Sequence, residues 1–146
     1  MAKQSKFKLL KNLADEELSQ ALENLGKARL NYAAGEKQLL DLIEYKEDYR
    51  TQLSQMLKSG ITTNTWDNFE RFIDSMDKAI LQQRRVLVEL DNKVKLAIEN
   101  WQEKNKKVNS FDILVKREAI LQQAKEQKIE QKLMDEYSAR SPRRNL

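Results

Sequence analysis

Carboxylates are the residues of this sequence best suited to chemistry, because its 146 residues include neither histidine nor cysteine. That absence excludes disulfides, thiolate nucleophiles, Cys/His zinc sites and every histidine-dependent triad. The carboxylates cluster at Asp15–Glu17 and at Asp135 and Glu136, but charges on a helix usually form solvated pairs one turn apart. No GxxxxGK[ST] or GxGxxG motif is present to hold a nucleotide phosphate. We therefore expect no enzymatic activity, no metal site and no cofactor.

The positive charge of the chain is concentrated at its two ends. The first 11 residues contain four lysines and the last eight contain three arginines, so the net charge of +4 leaves −3 for residues 12–138. A nucleic-acid-binding protein would carry a basic stripe along one face, often with interleaved aromatic residues. Neither an apolar run of 18 residues nor a signal peptide is present. We expect a cytoplasmic protein with no nucleic-acid partner and no direct membrane insertion.

Residues that break helices are rare, since the chain has three glycines and one proline. The only strong break, at residues 58–65, separates two helical patterns and predicts a hairpin loop. Asn64 or Thr65 can cap the second helix, which should begin near Trp66, and the Ser-Pro pair at 141–142 should follow its end. We predict a single domain with helix one at about 4–57, helix two at about 66–138 and a loose basic tail at 139–146.

Apolar residues recur every seven positions in both helical patterns, as in the seam of a coiled coil. Helix one carries Leu18, Leu25, Tyr32, Leu39, Lys46 and Leu53, with Ala21, Ala28, Gly35, Leu42, Tyr49 and Met56 three residues later. Helix two carries Trp66, Ile73, Ile80, Leu87, Val94, Trp101, Val108 and Val115, with Phe69, Met76, Gln83, Leu90, Ala97, Lys104 and Phe111 as the interleaved positions of the same seam. The two tryptophans are expected to fill the seam. The predicted fold is all-α, a long two-helix antiparallel coiled-coil hairpin.

Helix two is longer than helix one. Folding back at the loop pairs residues whose numbers add to about 123, so the partner helix ends where helix two reaches about residue 116. Residues 117–138 are therefore predicted to overhang as a single helix, which is marginally stable in water. Ile129, Leu133 and Tyr137 form a thin apolar stripe on it, as expected of a helix that awaits a partner.

Near the loop, both helices are apolar over a wider face than a two-stranded seam uses. Helix one contributes Leu39, Leu42, Ile43, Tyr45 and Tyr49, and helix two contributes Phe69, Phe72, Ile73, Met76, Ala79 and Ile80. The antiparallel pairing places the two faces together. This region is either a partner-docking surface or a thicker local core, closed by the loop or by self-association.

Several features outside the heptad pattern resemble the FliJ family of flagellar export proteins. They are the segment LIEYKEDYR at 42–50, Gly60-Ile61 ahead of Trp66, Phe72-Ile73, Lys78-Ala79-Ile80, WQEK at 101–104, and Gln131-Lys132 followed by Met134-Asp135-Glu136. The resemblance covers almost the whole chain at matching spacing.

The resemblance implies a central stalk of the flagellar type III export apparatus, with a coiled coil similar to that of the rotary ATPase gamma subunit. Implied partners are the hexameric export ATPase of the FliI type, the export-gate membrane protein FlhA, and substrate-specific export chaperones. The family helps to recycle these chaperones once they no longer carry a substrate. The implied location is the cytoplasmic face of the bacterial inner membrane at the flagellar base.

The resemblance also assigns residues to two partner-binding surfaces. The gate surface comprises Gln38, Leu42, Tyr45, Tyr49, Phe72, Met76, Ala79 and Gln83, and it coincides with the wide apolar face near the loop. The family pattern varies at positions 76 and 83. The family's ATPase contact lies at the end that carries both termini, which here implicates Phe7, Ile129, Leu133 and Tyr137.

Two other functions fit the same architecture. The chain could be the equivalent stalk of a virulence-type secretion ATPase, or a free-standing coiled-coil adaptor that binds or dimerises through the apolar face near the loop. A free-standing adaptor would not stimulate an ATPase.

Overall fold

The computed structural model describes residues 5–140, which form two helices. Helix α1 comprises Lys6–Ser59 and helix α2 comprises Thr63–Arg140. Residues 60–62 connect them, and side chains of α1 meet side chains of α2 at many positions of the heptad pattern. The structure confirms the predicted all-α fold, a two-helix hairpin with antiparallel coiled-coil pairing.

The connection between the helices is shorter than the predicted loop. Gly60 follows α1 with φ +85° and donates its N–H to the Leu57 carbonyl at 3.3 Å, which ends the helix at Ser59. Thr62 then caps α2, because its Oγ1 accepts the N–H of Thr65 at 3.2 Å. The assignment of the cap to Asn64 or Thr65 was wrong, and α2 begins at Thr63 rather than near Trp66.

The outer ends of both helices also differ from the predicted ones. Ser5 caps α1, since its Oγ accepts the N–H of Lys8 at 3.4 Å and its carbonyl accepts the N–H of Leu9 at 3.1 Å. Helix α2 continues to Arg140, so the first two residues of the predicted tail are helical. The rest of that tail, 141–146, and residue 4 of predicted helix one lie outside the described residues.

The described chain divides into two compact units, each with its own stretch of paired helices. The terminal unit contains residues 5–19 and 103–140, and the loop unit contains Gln20–Gln102. Every buried apolar side chain in either unit occupies a predicted seam position or continues that pattern toward the N-terminus. In the terminal unit they are Ala14 and Val108, and in the loop unit Ala21, Leu25, Leu53, Phe69, Ile73, Met76 and Ile80.

Trp66 departs from the predicted seam. Its side chain is 38% exposed, whereas Trp101 is partly buried as expected. Ile61 from the connection packs instead against the buried cluster of Leu53, Phe69 and Ile73. The short connection therefore closes this end of the core with an isoleucine, and Trp66 remains more than a third exposed.

Candidate functional site

An aromatic cluster in the loop unit joins the buried seam to the surface. The Tyr49 ring lies 4.7 Å from the Phe69 ring and 4.1 Å from the Phe72 ring, between centroids. Tyr45 lies 6.0 Å from Phe72, with the ring planes tilted by 57°. The Tyr49–Phe69 and Tyr45–Phe72 separations suit attractive aromatic pairs, and the Tyr49 and Phe72 rings are closer still. Phe69 is buried, Tyr49 and Phe72 are partly buried and Tyr45 is 57% exposed. The exposed side of the cluster, its aromatic edge, is therefore formed by Tyr45 and Phe72, which pack on the more buried rings beneath them.

The predicted gate surface is accordingly part core and part surface. Leu42 and Ala79 are partly buried beside the aromatic cluster, while Met76 is only 9% exposed. Met76 can therefore act on a partner only through the side chains that it supports. A groove of ≈ 350 Å³ lies beside Tyr45 and Tyr49, which leaves room for a partner's side chain.

The polar residues of the gate surface meet through hydrogen bonds. Gln83 Nε2 donates to the main-chain oxygen of Gly35 at 3.0 Å and to Gln38 Oε1 at 3.4 Å. Gln38 is exposed and Gln83 partly buried. The structure thus brings Gln38 and Gln83 together at one site, and it brings Tyr45, Tyr49 and Phe72 together at another.

Two residues of the loop unit that the sequence did not assign to the gate surface, Asp77 and Gly35, also make contacts between the helices. Asp77 pairs with the seam residue Lys46, whose side chain is only 17% exposed. Gly35 receives the side chains of Leu87 and Leu90, because a Cβ atom there would lie 3.0 Å and 2.9 Å from their methyl carbons. The predicted pairing, in which residue numbers add to about 123, could have identified Asp77 as the partner of Lys46.

The residues predicted to contact the ATPase ring all lie in the terminal unit. Phe7 is partly buried, whereas Ile129, Leu133 and Tyr137 are 52%, 59% and 76% exposed. Every residue from 119 to 140 is exposed. Ser5, which caps α1, donates a hydrogen bond to Glu118 near the start of this exposed stretch.

Ion pairs across the helices surround the seam of the terminal unit. Glu17 lies 3.5 Å from Lys104 Nζ and 3.3 Å from Lys107 Nζ. The hydrogen bond from Lys107, with the charges of both lysines, lowers the pKa of the Glu17 carboxyl. The pKa of Asp112 is likewise lowered, chiefly by its hydrogen bond from Lys116 and also by Lys11.

In the loop unit, the pKa of one tyrosine is raised rather than lowered. The pKa of Tyr32 is raised, first by the negative charge of Glu36 and then by burial and by Asp91. This seam tyrosine therefore stays neutral at physiological pH.

Residues 5–140 offer surfaces rather than a reaction centre. No group of three or more Asp or Glu side chains in this range is placed to hold a metal ion. Over the same range, neither helix has an apolar stretch of the length that a bilayer-spanning segment requires. The fold and its surfaces define a two-helix coiled-coil protein whose distinctive features are a partly exposed aromatic cluster and an exposed helical extension.

Comparison with known proteins places this architecture in one family. A family profile described as "Flagellar FliJ protein" matches residues 3–146. The flagellar FliJ protein of Escherichia coli (strain K12) is 35% identical over 144 residues, covering 99% of this chain and 98% of that protein. Its counterpart in Bacillus subtilis (strain 168) is 22% identical over 138 residues, covering 94% of each.

The chain belongs to the FliJ family. It is therefore a non-enzymatic component of flagellar protein export, as the resemblance implied.

Proposed function

We propose that this protein is the stalk that links the hexameric export ATPase to the export gate of the flagellar apparatus. Residues 119–140 of α2 carry the proposal, because they form an extension in which every side chain is exposed, including Ile129, Leu133 and Tyr137. A helix of this length is marginal in water without a partner. Insertion into the pore of an ATPase ring would cover the apolar stripe and stabilise the helix.

The loop unit would supply the second contact, to the gate protein FlhA. Support comes from the half-exposed aromatic edge formed by Tyr45 and Phe72 over a buried core. Aromatic side chains held in place by such a core lose little freedom on binding and often dominate interface energies. Leu42, Ala79 and the glutamines at 38 and 83 would complete this surface.

The proposed role is mechanical. One chain that contacts the ring through its terminal unit and the gate through its loop unit can pass ATP-driven changes in one partner to the other, provided that its position differs between states of the ring. The protein would be located at the cytoplasmic face of the inner membrane at the flagellar base. There it would also recycle export chaperones that have released their substrates.

Removal of the exposed apolar stripe tests the ring contact. The variant Ile129→Ala/Leu133→Ala/Tyr137→Ala keeps good helix formers on α2, and Gln123→Ala/Gln127→Ala/Gln131→Ala is a matched control with the same four-residue spacing on another face. The full chain should stimulate ATP hydrolysis by the purified export ATPase. We expect the apolar triple variant to lose most of this stimulation, because each side chain would bury apolar area in the ring, and the glutamine variant to retain it.

Two results would contradict the proposal. A folded, helical wild-type chain that neither binds nor stimulates the ATPase would remove the stalk assignment and favour a free-standing adaptor. Equal stimulation by the apolar triple variant and the wild type would move the ring contact away from residues 119–140.

A further inference from the structure

Gly35 marks a point of close approach between α1 and α2 in the loop unit. A Cβ atom at this residue would lie 2.9 Å from Leu90 Cδ1 and 3.0 Å from Leu87 Cδ2, well inside the usual carbon–carbon contact distance of roughly 3.5–4.0 Å. Because the two leucines sit one helical turn apart and press on the same point, rotation of one side chain leaves the other contact in place. A side chain at residue 35 would therefore require both leucine side chains to move, or the helices to separate locally.

This close approach allows a side chain of α2 to reach the backbone of α1. Gln83 Nε2 donates to the Gly35 carbonyl at 3.0 Å and to Gln38 Oε1 at 3.4 Å. These bonds use the amide nitrogen of Gln83 and the amide oxygen of Gln38. Within residues 5–140, the acceptor Gln83 Oε1 and the donor Gln38 Nε2 are the polar atoms of the pair that no other side chain uses.

We propose that Gly35 is a positioning residue of the gate surface. It admits Gln83 to the α1 backbone, and the resulting hydrogen bonds turn the Gln83 acceptor and the Gln38 donor toward a partner. Gly35 itself is buried, so it acts through the two glutamines and not by direct contact. The role of these hydrogen bonds in partner binding rests on the gate contact proposed above. The hydrogen bonds themselves can be measured in the free protein.

The variant Gly35→Ala tests this role, and the chain supplies its own control. Gly26 lies in the same helix and the same unit, and a Cβ atom there would meet nothing within 4 Å. Gly26→Ala therefore reproduces the gain in helix propensity without the contact with the leucines. In Gly35→Ala the methyl group must displace both leucine side chains or separate the helices locally. If Gly35 positions Gln83, as proposed, the 3.0 Å bond from Gln83 to the residue 35 carbonyl should be lost.

Two readouts separate positioning from stability. The first is the side-chain amide signal of Gln83 in ¹⁵N NMR spectra of the free protein, which reports its hydrogen bonds. The second is affinity for the purified cytoplasmic domain of the gate protein. We expect Gly35→Ala to remain helical, to shift the Gln83 signal toward that of an exposed glutamine, and to weaken gate binding by about three- to tenfold, the factor for one lost neutral hydrogen bond. Gly26→Ala should match the wild type in both measurements.

An unchanged Gln83 signal in Gly35→Ala would overturn the inference, and so would a shifted signal with unchanged affinity. If Gly35→Ala alone unfolds, Gly35→Ala/Leu87→Val/Leu90→Val removes both Cδ contacts, keeps apolar side chains at these positions and should restore both the fold and the Gln83 signal. A refolded protein with the signal of an exposed glutamine would contradict the proposal. If the wild type does not bind the gate domain, the proposed gate contact is wrong, and the amide signal alone decides whether Gly35 orients Gln83.

Discussion

Tyr49 connects the core of the loop unit to its surface. Its ring packs on the buried Phe69 and on the partly buried Phe72, and Phe72 in turn contacts the exposed Tyr45. Each ring therefore restrains the next, and the outermost one reaches solvent without losing its orientation. A leucine at position 49 would fill the seam but could not extend this stack of rings to the surface.

Truncation of the outer rings should weaken gate binding more than it weakens the fold. Tyr45 is 57% exposed, so Tyr45→Ala removes little buried area, and Phe72→Ala removes a partly buried ring. If these rings anchor the gate domain, the double variant should lose at least about 2 kcal/mol of binding free energy, as hot-spot aromatics do. Isothermal titration calorimetry with the purified gate domain measures this loss.

The exposed residue Leu81 provides a control in the same unit. Its side chain is 53% exposed and lies outside the proposed surface, so Leu81→Ala should bind the gate domain as the wild type does. Wild-type affinity in Tyr45→Ala/Phe72→Ala would show that the aromatic edge is not the docking surface.

At the scale of the helical elements, the connection depends on Thr62. Its hydroxyl satisfies the N–H of Thr65, one of the backbone donors that lack a partner at the start of any helix, and also contacts the Thr65 hydroxyl at 2.9 Å. Thr62→Ala should therefore reduce the free energy of unfolding by about 1 kcal/mol. Thr63→Ala, one residue further into α2, should have a much smaller effect. Urea denaturation followed by circular dichroism compares the two, and equal stabilities would mean that Thr62 does not act as the cap.

The heptad pattern predicted the seam well, because seven-residue spacing directly reports which side of a helix is buried. Leu25, Ile73 and Val108 are buried as it requires. The pattern could not locate the end of the seam near the loop, where Ile61 replaces Trp66, since the loop's path depends on which threonine caps α2. Four threonine and asparagine residues in a row offered several equivalent caps.

The wide apolar face near the loop was predictable from the sequence, but the exposure of its residues was only partly so. The seam spacing agrees with the burial of Met76, yet periodicity could not show that Tyr45 outside the seam is 57% exposed while Phe72 is partly buried. The hydrogen bonds of Gln83 depend on the space at Gly35, and sequence reports neither the distance between helices nor the direction of an amide.

At the scale of the whole molecule, both units contain ion pairs, but they differ in apolar burial and in the carboxylates whose pKa is lowered. The loop unit has a cluster of aliphatic and aromatic side chains around Leu53, Phe69 and Ile73. The terminal unit has fewer buried side chains, and carboxylates with lowered pKa values, Glu17 and Asp112, pair there with lysines. Ionic contacts respond to pH, whereas apolar contacts do not.

Acid should therefore loosen the terminal unit. A carboxylate whose pKa is lowered in the folded state stabilises the protein above its ordinary pKa, and that contribution is lost as the pH falls through the folded-state value. Hydrogen exchange of residues 6–19 and 103–118 should thus accelerate, relative to the loop unit, between pH 7 and about pH 3. Mass spectrometry of peptides measures this difference, once the exchange rates are corrected for the intrinsic pH dependence of amide exchange.

The double variant Glu17→Gln/Asp112→Asn isolates the two carboxylates. It should already show weaker protection of the terminal unit at pH 7 and a smaller further loss in acid. A loss in acid equal to that of the wild type would assign the pH dependence to other carboxylates.

The three-residue connection at 60–62 also determines how α1 finds its partner. Two separate chains that form a coiled coil must meet by diffusion, and they dissociate when diluted below their dissociation constant. Here the tether makes the encounter intramolecular, so each helix faces the other at an effective concentration that dilution does not change. The hairpin can therefore form from one copy of the chain, and its folding does not depend on the concentration of the protein.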